Sequence, residues 1–487
     1  VERKDGLSQK MNILEKVFSS GEMEEEVLKD FFKSYSDVKV TKYKQSEKCM
    51  GVIYCEGMVD GSQLNDYFNR VTAYLSNDDE PSEHHCDLPP IISINSVSVM
   101  IEKVFSGFLI FFKERSKFLW AIDIANIPQR TPEESKTETS IKGPKDAFTE
   151  EIYTNISLIR KRLKSPELYN ESFVIGSLSK TKVSLLYLEN KVNEATLAEI
   201  KERLNKIETE SILSAGQLEQ WLSDRTFSLF PLFDYITRPD FTIECMLRGR
   251  FIILVDGSPM VLIGPANLTE LTKSPEDIHF PYYFVMFQRG LRIIGIVIAI
   301  FLPGFWVAIG NVNVDQLPFP LLATVVVSRQ GLPIPGGLEA FFILGLFELL
   351  REAGVRMPTA VGQTISIVGG LIIGDASIRA GLASPTIIVM IAVTAVATYT
   401  LVNQSLSGTV TVLRFGTLLI SSFLGIYGLF ISAFAVLIYL CQLESFKVSY
   451  MEPIVSLKPK EILSALLINP FKRRDLSASM LNRGKKK

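Results

Sequence analysis

Gly362-Gln363-Thr364-Ile365-Ser366-Ile367-Val368-Gly369-Gly370-Leu371-Ile372-Ile373-Gly374-Asp375 is the stretch on which the fold turns. Together with Arg351-Glu352-Ala353-Gly354 it sits inside the most apolar part of the chain. Charges and clustered glycines are costly at membrane depth, and there they mark a pathway, a helix contact or a switch. A passive anchor has no use for them. Steps of three and four from Thr359 place Thr364, Val368, Leu371, Asp375 and Arg379 on one helix face, with Gly362, Ser366, Gly369, Gly370 and Gly374 beside it. Small residues let identical helices approach closely in a ring. A face carrying Gln363, Thr364, Val368, Leu371 and Asp375 suits a pore that Leu371 closes by dewetting. Plain small-residue packing, with Asp375 and Arg379 near the interface, fits the same pattern.

Outward from this stretch, the chain from Gly290 to Cys441 is overwhelmingly apolar, and spans are expected at Gly290–Gly310, Thr359–Arg379, Pro385–Val402 and Val412–Cys441. Arg289 and Arg292 flank the first span, Phe280, Tyr282, Tyr283 and Phe284 form an aromatic belt, and Pro303 predicts a kink. Asn311-Val312-Asn313-Val314-Asp315 lacks Lys and Arg, as an outside loop should. Pro318–Val327 is too short to span, and Ser328 to Gly337, with Arg329, Pro333 and Pro335, cannot be regular helix. Leu338–Leu350 is helical in pattern but carries Glu339 and Glu348. Broken helices survive at depth only where protein or water covers them, so this element reads as discontinuous or re-entrant. An interfacial amphipathic helix is the other reading. The tail, with Lys458, Lys472, Arg473, Arg474 and Lys485-Lys486-Lys487, is basic and therefore cytosolic, which requires four or six crossings.

The chain has 487 residues and a net charge of −2, so overall charge selects no partner and gives no sign of nucleic-acid binding. Its first half is mixed and charged, like a soluble protein. Val1-Glu2-Arg3-Lys4-Asp5 opens no apolar signal core, and the five cysteines are scattered, both of which favour a cytosolic, reduced soluble half. Ile53-Tyr54-Cys55-Glu56-Gly57-Met58-Val59-Asp60 resembles Leu186-Tyr187-Leu188-Glu189-Asn190-Lys191-Val192-Asn193, and Gly107 to Phe112 resembles Gly249 to Leu254. Each unit reads as strand, turn, helix, then a hairpin, the second turning at Asp256-Gly257-Ser258-Pro259. The expected architecture is thus an α+β cytosolic domain of two similar α/β subdomains, then an all-α polytopic membrane domain with a broken or re-entrant segment. The boundaries are an N-terminal extension 1–34, subdomains 35–127 and 143–280 around a linker 128–142, a transmembrane domain 281–445, and a tail 446–487.

The soluble half shows no phosphate-binding glycine loop, no nucleophile elbow and no Cys-x-x-Cys pair, so no enzyme and no cofactor is expected. His84-His85-Cys86 lacks a second ligand pair and reads better as a solvated loop beside Asp78-Asp79-Glu80 than as a metal site.

Glu348 to Pro358 (Glu-Leu-Leu-Arg-Glu-Ala-Gly-Val-Arg-Met-Pro), Val361-Gly362-Gln363-Thr364-Ile365, Val368-Gly369-Gly370, the spacing of Pro333, Pro335 and Glu339, Leu413-Arg414-Phe415 and Gly425 resemble the GerA family of spore germination proteins, specifically the A subunit of nutrient germinant receptors. In the soluble half Gly143-Pro144-Lys145, Leu158-Ile159-Arg160, Val255-Asp256 and Ser274-Pro275-Glu276-Asp277 resemble it too. The likeness runs in order across about residues 140–450. It departs at Gln330, where the family usually has an acid, at Gly336-Gly337, and at Asn403, where proline is common.

The resemblance implies a three-component receptor of the spore inner membrane. The A subunit forms a ring, with five copies as one count, around a path for monovalent cations. A transporter-like B subunit binds nutrient, and a C-subunit lipoprotein sits outside, all in contact with membrane lipid. On that reading Gln363, Thr364, Val368, Leu371 and Asp375 line the pore and Gly362, Gly369, Gly370 and Gly374 pack the helices. Arg329, Pro333, Pro335, Glu339, Glu348, Arg351 and Glu352 couple it to the B subunit. A secondary transporter and a non-conducting scaffold are the rival classes.

Overall fold

The computed structural model describes residues 2–20, 23–45, 48–75, 90–113, 119–126, 142–225, 227–356 and 374–455. Two five-stranded antiparallel sheets form the soluble half. The first joins β1 (Val38–Gln45), β2 (Lys48–Cys55), β3 (Ile91–Ile94), β4 (Phe108–Lys113) and β5 (Leu119–Asp123) in the order β1-β2-β4-β5-β3. The second joins β6 (Leu168–Ile175), β7 (Thr181–Leu188), β8 (Asp234–Ile236), β9 (Phe251–Val255) and β10 (Val261–Gly264) in the order β6-β7-β9-β10-β8. The two orders are the same, strand for strand. The segments that resemble each other in sequence, beginning in β2 and β7 or forming β4 and β9, hold equivalent places.

Period-two side-chain direction explains why inner strands such as β4 and β9 read as unbroken apolar runs. In the first sheet Met50, Val52, Leu109 and Phe111 meet Leu64, Phe68 and Val71 of helix Gly61–Leu75. Their neighbours Ile53, Cys55, Ile110 and Phe112 face the opposite way, onto helix Val97–Val104. The second sheet is covered likewise, by helices Ile152–Arg162 and Pro239–Leu247 on one face and Glu194–Asn205 on the other. A sheet covered on both faces has no polar side to alternate with. Gly107 (φ +88°) and Gly249 (φ +95°) enter β4 and β9 in the left-handed conformation that glycine adopts at least cost.

The helical half begins with Tyr282–Val307, extended by a π-turn to Val312. Phe319–Ser328 follows, a non-helical turn carries Gly331 (φ +89°), and Gly336–Arg356 resumes. The break therefore falls where the prolines predict it, and the second helix starts at Gly336 rather than Leu338. Residues 374–379 are helical, and Pro385–Tyr399 and Gln404–Gln442 complete the set. Two of the described helices, Tyr282–Val312 and Gln404–Gln442, have the length and apolar composition to cross a membrane.

The 39-residue helix is not one rod, which corrects the expectation of a single long span there. Thr409 Oγ1 donates to the Leu229 carbonyl, and Leu229 N–H donates to Tyr439 Oη at 3.0 Å, so residues 409 and 439 meet one residue. A straight helix would hold them about 45 Å apart. The chain reverses at Gly425 (φ 63°, ψ −142°), giving two antiparallel legs, 404–424 and 426–442. After Gln442 the chain returns to the second sheet. Leu268 N–H donates to the Tyr450 carbonyl at 3.0 Å, Tyr450 Oη to the Pro231 carbonyl at 3.0 Å, and Asn267 Nδ2 to the Glu452 carbonyl at 2.8 Å. Phe446 packs edge-on against Phe233 and Phe251. The expected boundary at 445–446 falls inside this buried strap.

Candidate functional site at the broken helix

The end of the helical half remote from the sheets holds a polar network built from five segments. Glu339, in the first turn after the break, is 0% exposed. Its Oε1 accepts from the Ser384 amide and, at 2.7 Å, from Ser384 Oγ. Its Oε2 lies 4.0 Å from Arg329 Nε and has no hydrogen-bond partner. Arg329, at the end of the helix before the break, donates instead to Asn311 Oδ1. Asn313, two residues on, accepts from Ile426 N–H at 2.9 Å and so caps the second leg of the hairpin at its reversal. A Cβ on Gly336 would come 2.5 Å from Asn311 Oδ1 and 2.8 Å from Arg329 Nη2, and one on Gly337 2.8 Å from Ser422 Oγ. These two glycines make room for the network.

At the opposite end of helix Gly336–Arg356, Arg351 pairs with Glu348 and donates to Ser407 Oγ at 3.1 Å and Thr411 Oγ1 at 3.3 Å on the first hairpin leg. Glu352 forms an exposed pair with Arg356. Glu348 and Glu352 also border an open apolar groove of about 630 Å³ beside Phe341, Phe342, Leu349 and Phe415. Arg414, buried between three helices, donates through Nε to the Ala299 carbonyl at 2.7 Å and through Nη2 to Thr398 Oγ1. Thr417 Oγ1 donates to the Ile300 carbonyl at 2.8 Å.

The sheets meet the helices through a second charged cluster. Asp277, held in a capping box by Ser274, accepts from Arg289 Nε at 2.9 Å and from Arg292 at 3.0 and 3.1 Å. Buried Glu270 faces Arg248 at 2.7 Å, Lys273 at 2.7 Å and Arg250 at 3.3 Å. Burial alone would raise the Glu270 carboxyl, but these cations hold it well below its ordinary value. Lys273 is the weak member of this cation-rich group. Burial and the nearby Arg248 push its ammonium down to about 8 despite Glu270. Asn403 Nδ2 donates to Asp234 Oδ1 at 2.6 Å, and its Oδ1 caps the long helix at Leu406 N–H.

Of the residues expected to couple or gate, the structure brings Arg329 and Glu339 together and Glu348 and Arg351 together. Pro333 and Pro335 lie exposed in the turn between the two helices, where the Pro335 carbonyl accepts the Glu339 amide at 3.0 Å. Asp375 forms an exposed pair with Arg379 at 2.7 Å, and Gly374 lies near Ile388. Gln363, Thr364, Val368, Leu371, Gly362, Gly369 and Gly370 lie outside the described residues, as do His84, His85 and Cys86. No group of metal-binding side chains occurs among the described residues. The sequence reading missed Asn311, Asn313 and Ser384. Asn311 and Asn313 read as loop because they lack apolar spacing, and Ser384 reads as an ordinary cap before Pro385.

Comparison with known proteins follows the same span. The family model described as Bacillus/Clostridium GerA spore germination protein matches residues 26–478. The chain is 40% identical over 445 residues to spore germination protein XA of Bacillus anthracis, covering 89% of this chain and 90% of that protein. It is 32% identical over 449 residues to spore germination protein KA of Bacillus subtilis, covering 90% and 82%. A solved structure, the N-terminal domain of the A subunit of the Bacillus megaterium spore germinant receptor GerK3, is 27% identical and covers 50% of this chain and 92% of that one, with a TM-score of 0.38.

Proposed function

We propose, for a chain that belongs to the GerA family of spore germination proteins, that it is the A subunit of a nutrient-responsive germinant receptor and that it forms a ligand-gated cation channel in the spore inner membrane. The observation that carries this reading is the family match itself, which runs through both the sheets and the helices and covers most of each relative. Relatives named as spore germination proteins support the role. Buried Glu339, held by Ser384 and facing Arg329 at 4.0 Å, supports a helical half built to move a signal rather than only to anchor, since a buried charge is kept where it acts.

In this reading the two sheet units and the strap lie on the cytosolic side. Gly336–Arg356 and Pro385–Tyr399 both run toward the sheets, because Glu339 meets Ser384 at the remote end while Arg351 meets Ser407 and Thr400 meets Gly295 near the sheets. That shared direction supports a return crossing by the expected Thr359–Arg379 span, and six crossings in all. Copies of the chain form the ring, with a neighbour seated in the groove beside Glu348 and Glu352. The Thr359–Arg379 helix lines the path and Leu371 closes it. The broken element carries the signal from the nutrient-binding subunit. The chain is a receptor and permeation subunit, with no catalytic step of its own.

The test is conductance of the purified chain in planar bilayers, alone and with its B and C partners, for the parent and for Leu371→Ala. Cation conductance that rises in the variant is expected. Silence in every combination, with the oligomer intact, would move the function to a scaffold.

A further inference from the structure

In the second sheet unit, between Arg225 and Leu229, Phe227 is 94% exposed. Its surroundings are not those of a free surface loop. Arg225 Nη2 donates to the Gln442 carbonyl at 3.2 Å, at the end of the second hairpin leg. Leu229 spends both backbone groups on the hairpin, its N–H on Tyr439 Oη and its carbonyl on Thr409 Oγ1, while its side chain stays 46% exposed. Phe230 is buried against Tyr439, with ring centroids 6.1 Å apart. Arg225 and Leu229 are thus tied to the sheet-side ends of the two legs, and Phe227 between them stays uncovered.

Above the tie lies the outer face of the second leg, where Phe430, Phe434, Leu437 and Ile438 are all largely exposed. Leu229, bonded to Tyr439, and Phe227, two residues before it, add exposed apolar surface at the sheet-side end of that leg. Arg225 and Lys447 are both exposed at the sheet-side end of that leg, Arg225 on the Gln442 carbonyl and Lys447 paired with Glu199 at 2.8 Å. An exposed phenylalanine beside a leg of exposed aromatic and aliphatic side chains, next to a residue, Leu229, whose backbone groups are both bonded, matches the interface of a bilayer, where unbonded backbone is excluded and aromatic rings collect.

We infer that Phe227 and Leu229 dip into the inner leaflet, with Phe227 at the boundary between headgroups and acyl chains, and that they hold the second sheet unit on the membrane surface. The inference rests on the membrane reading above. Its partner is the lipid surface, not another protein. Because Arg225 and Leu229 grip both hairpin legs, sheet unit and hairpin then move as one body against the bilayer.

The experiment uses the full chain in nanodiscs of phosphatidylcholine and phosphatidylglycerol with brominated acyl chains. Trp120, Trp221 and Trp306 are replaced by Phe, and a single tryptophan is placed by Phe227→Trp, Phe434→Trp or Leu178→Trp. Leu178, 76% exposed on the β6–β7 turn, reports the water-facing surface. Bromines near the headgroup should quench position 227 to roughly half of its unbrominated emission, as expected for a side chain about 5–10 Å into the boundary. Position 434 should be quenched most by deeper bromines, and position 178 not at all. Quenching at 434 with none at 227 overturns the inference and leaves the membrane reading intact, the result also expected if a second copy covers Phe227. No quenching at 434 overturns both.

Discussion

Arg414 Nε donates to the carbonyl oxygen of Ala299 at 2.7 Å, the acceptor that Pro303, four residues on, leaves without its helical donor. Proline has no N–H, so the i to i+4 bond at that turn is missing and a neighbouring helix must supply the proton. Arg414 does so and reaches Thr398 with Nη2, joining three helices at one turn. Arg414→Leu should destabilise the helical half, by roughly 1–3 kcal/mol for the orphaned buried acceptor. Arg414→Lys should not restore it, because an ammonium cannot serve two helices as a planar fork does. Pro303→Ala in the Arg414→Leu background should recover part of the loss. Thermal unfolding of the four proteins in detergent checks this, and equal losses with and without Pro303 would refute the link.

The reversal at Gly425 makes a second prediction. Its φ is 63°, and an added Cβ would collide with Asn313 Oδ1. Gly425→Ala should therefore prevent the two legs from closing. Asn313→Ala keeps the turn but removes the cap from Ile426, at a cost of about 1 kcal/mol. The readout is crosslinking of a cysteine pair at positions 409 and 439, in a chain lacking its own cysteines. It should be lost in Gly425→Ala and kept in Asn313→Ala. Crosslinking that survives Gly425→Ala would show that the hairpin does not depend on this glycine.

How far these features were legible in the sequence depends on their range. The two similar units were legible because the ends of β2 and β7, and β4 and β9, carry matching apolar residues, but their shared strand order was not, since it rests on pairings far apart in the chain. The break between Ser328 and Gly336 was legible because prolines leave a local mark. The reversal at Gly425 was not, since one left-handed glycine does not interrupt an apolar pattern and Gly416 and Gly428 look no different. Glu348 and Arg351, expected only as residues that couple to the B subunit, instead pair along their own helix at a spacing of three. Glu339 and Ser384, 45 residues apart, carry no such mark, and neither does the strap at 443–455, whose first lysine, Lys447, reads like the start of the basic tail.

Lys273 gives a pH dependence with a definite sign. Its ammonium loses protons near pH 8 in the folded chain and near 10.5 when unfolded. Between these values the unfolded chain binds more protons, so stability rises with pH from about 8 to 10.5, while below 8 the cost of the buried charge is fully present. Lys273→Met should flatten that rise. Denaturant titrations of both proteins between pH 7 and 10.5 test it; a parallel rise in the variant would assign the effect elsewhere.

Asp37 and Arg160 bind the two sheet units together. Arg160 donates through Nε to Asp37 Oδ2 at 2.9 Å and through Nη2 to Oδ1 at 3.1 Å, and both side chains are 0% exposed. Asn170 Nδ2 adds a bond at 3.3 Å, and the guanidinium stacks over Phe105 at 4.2 Å. Asp37→Ala would leave the Arg160 charge buried and unpaired, which should cost roughly 3–5 kcal/mol. Replacing both, Asp37→Leu with Arg160→Met, should recover most of it, since desolvating the pair offsets much of its attraction. Arg160 holds the Asp37 carboxyl below its ordinary value of 3.8 against the opposing effect of burial. The stabilisation is therefore complete above pH 3.8 and is lost as pH falls below it through the depressed folded value. Acid unfolding of the double variant should lack this component, so its stability relative to the parent should improve as the pH is lowered. A constant difference between the two across that range would show that the pair does not titrate with unfolding.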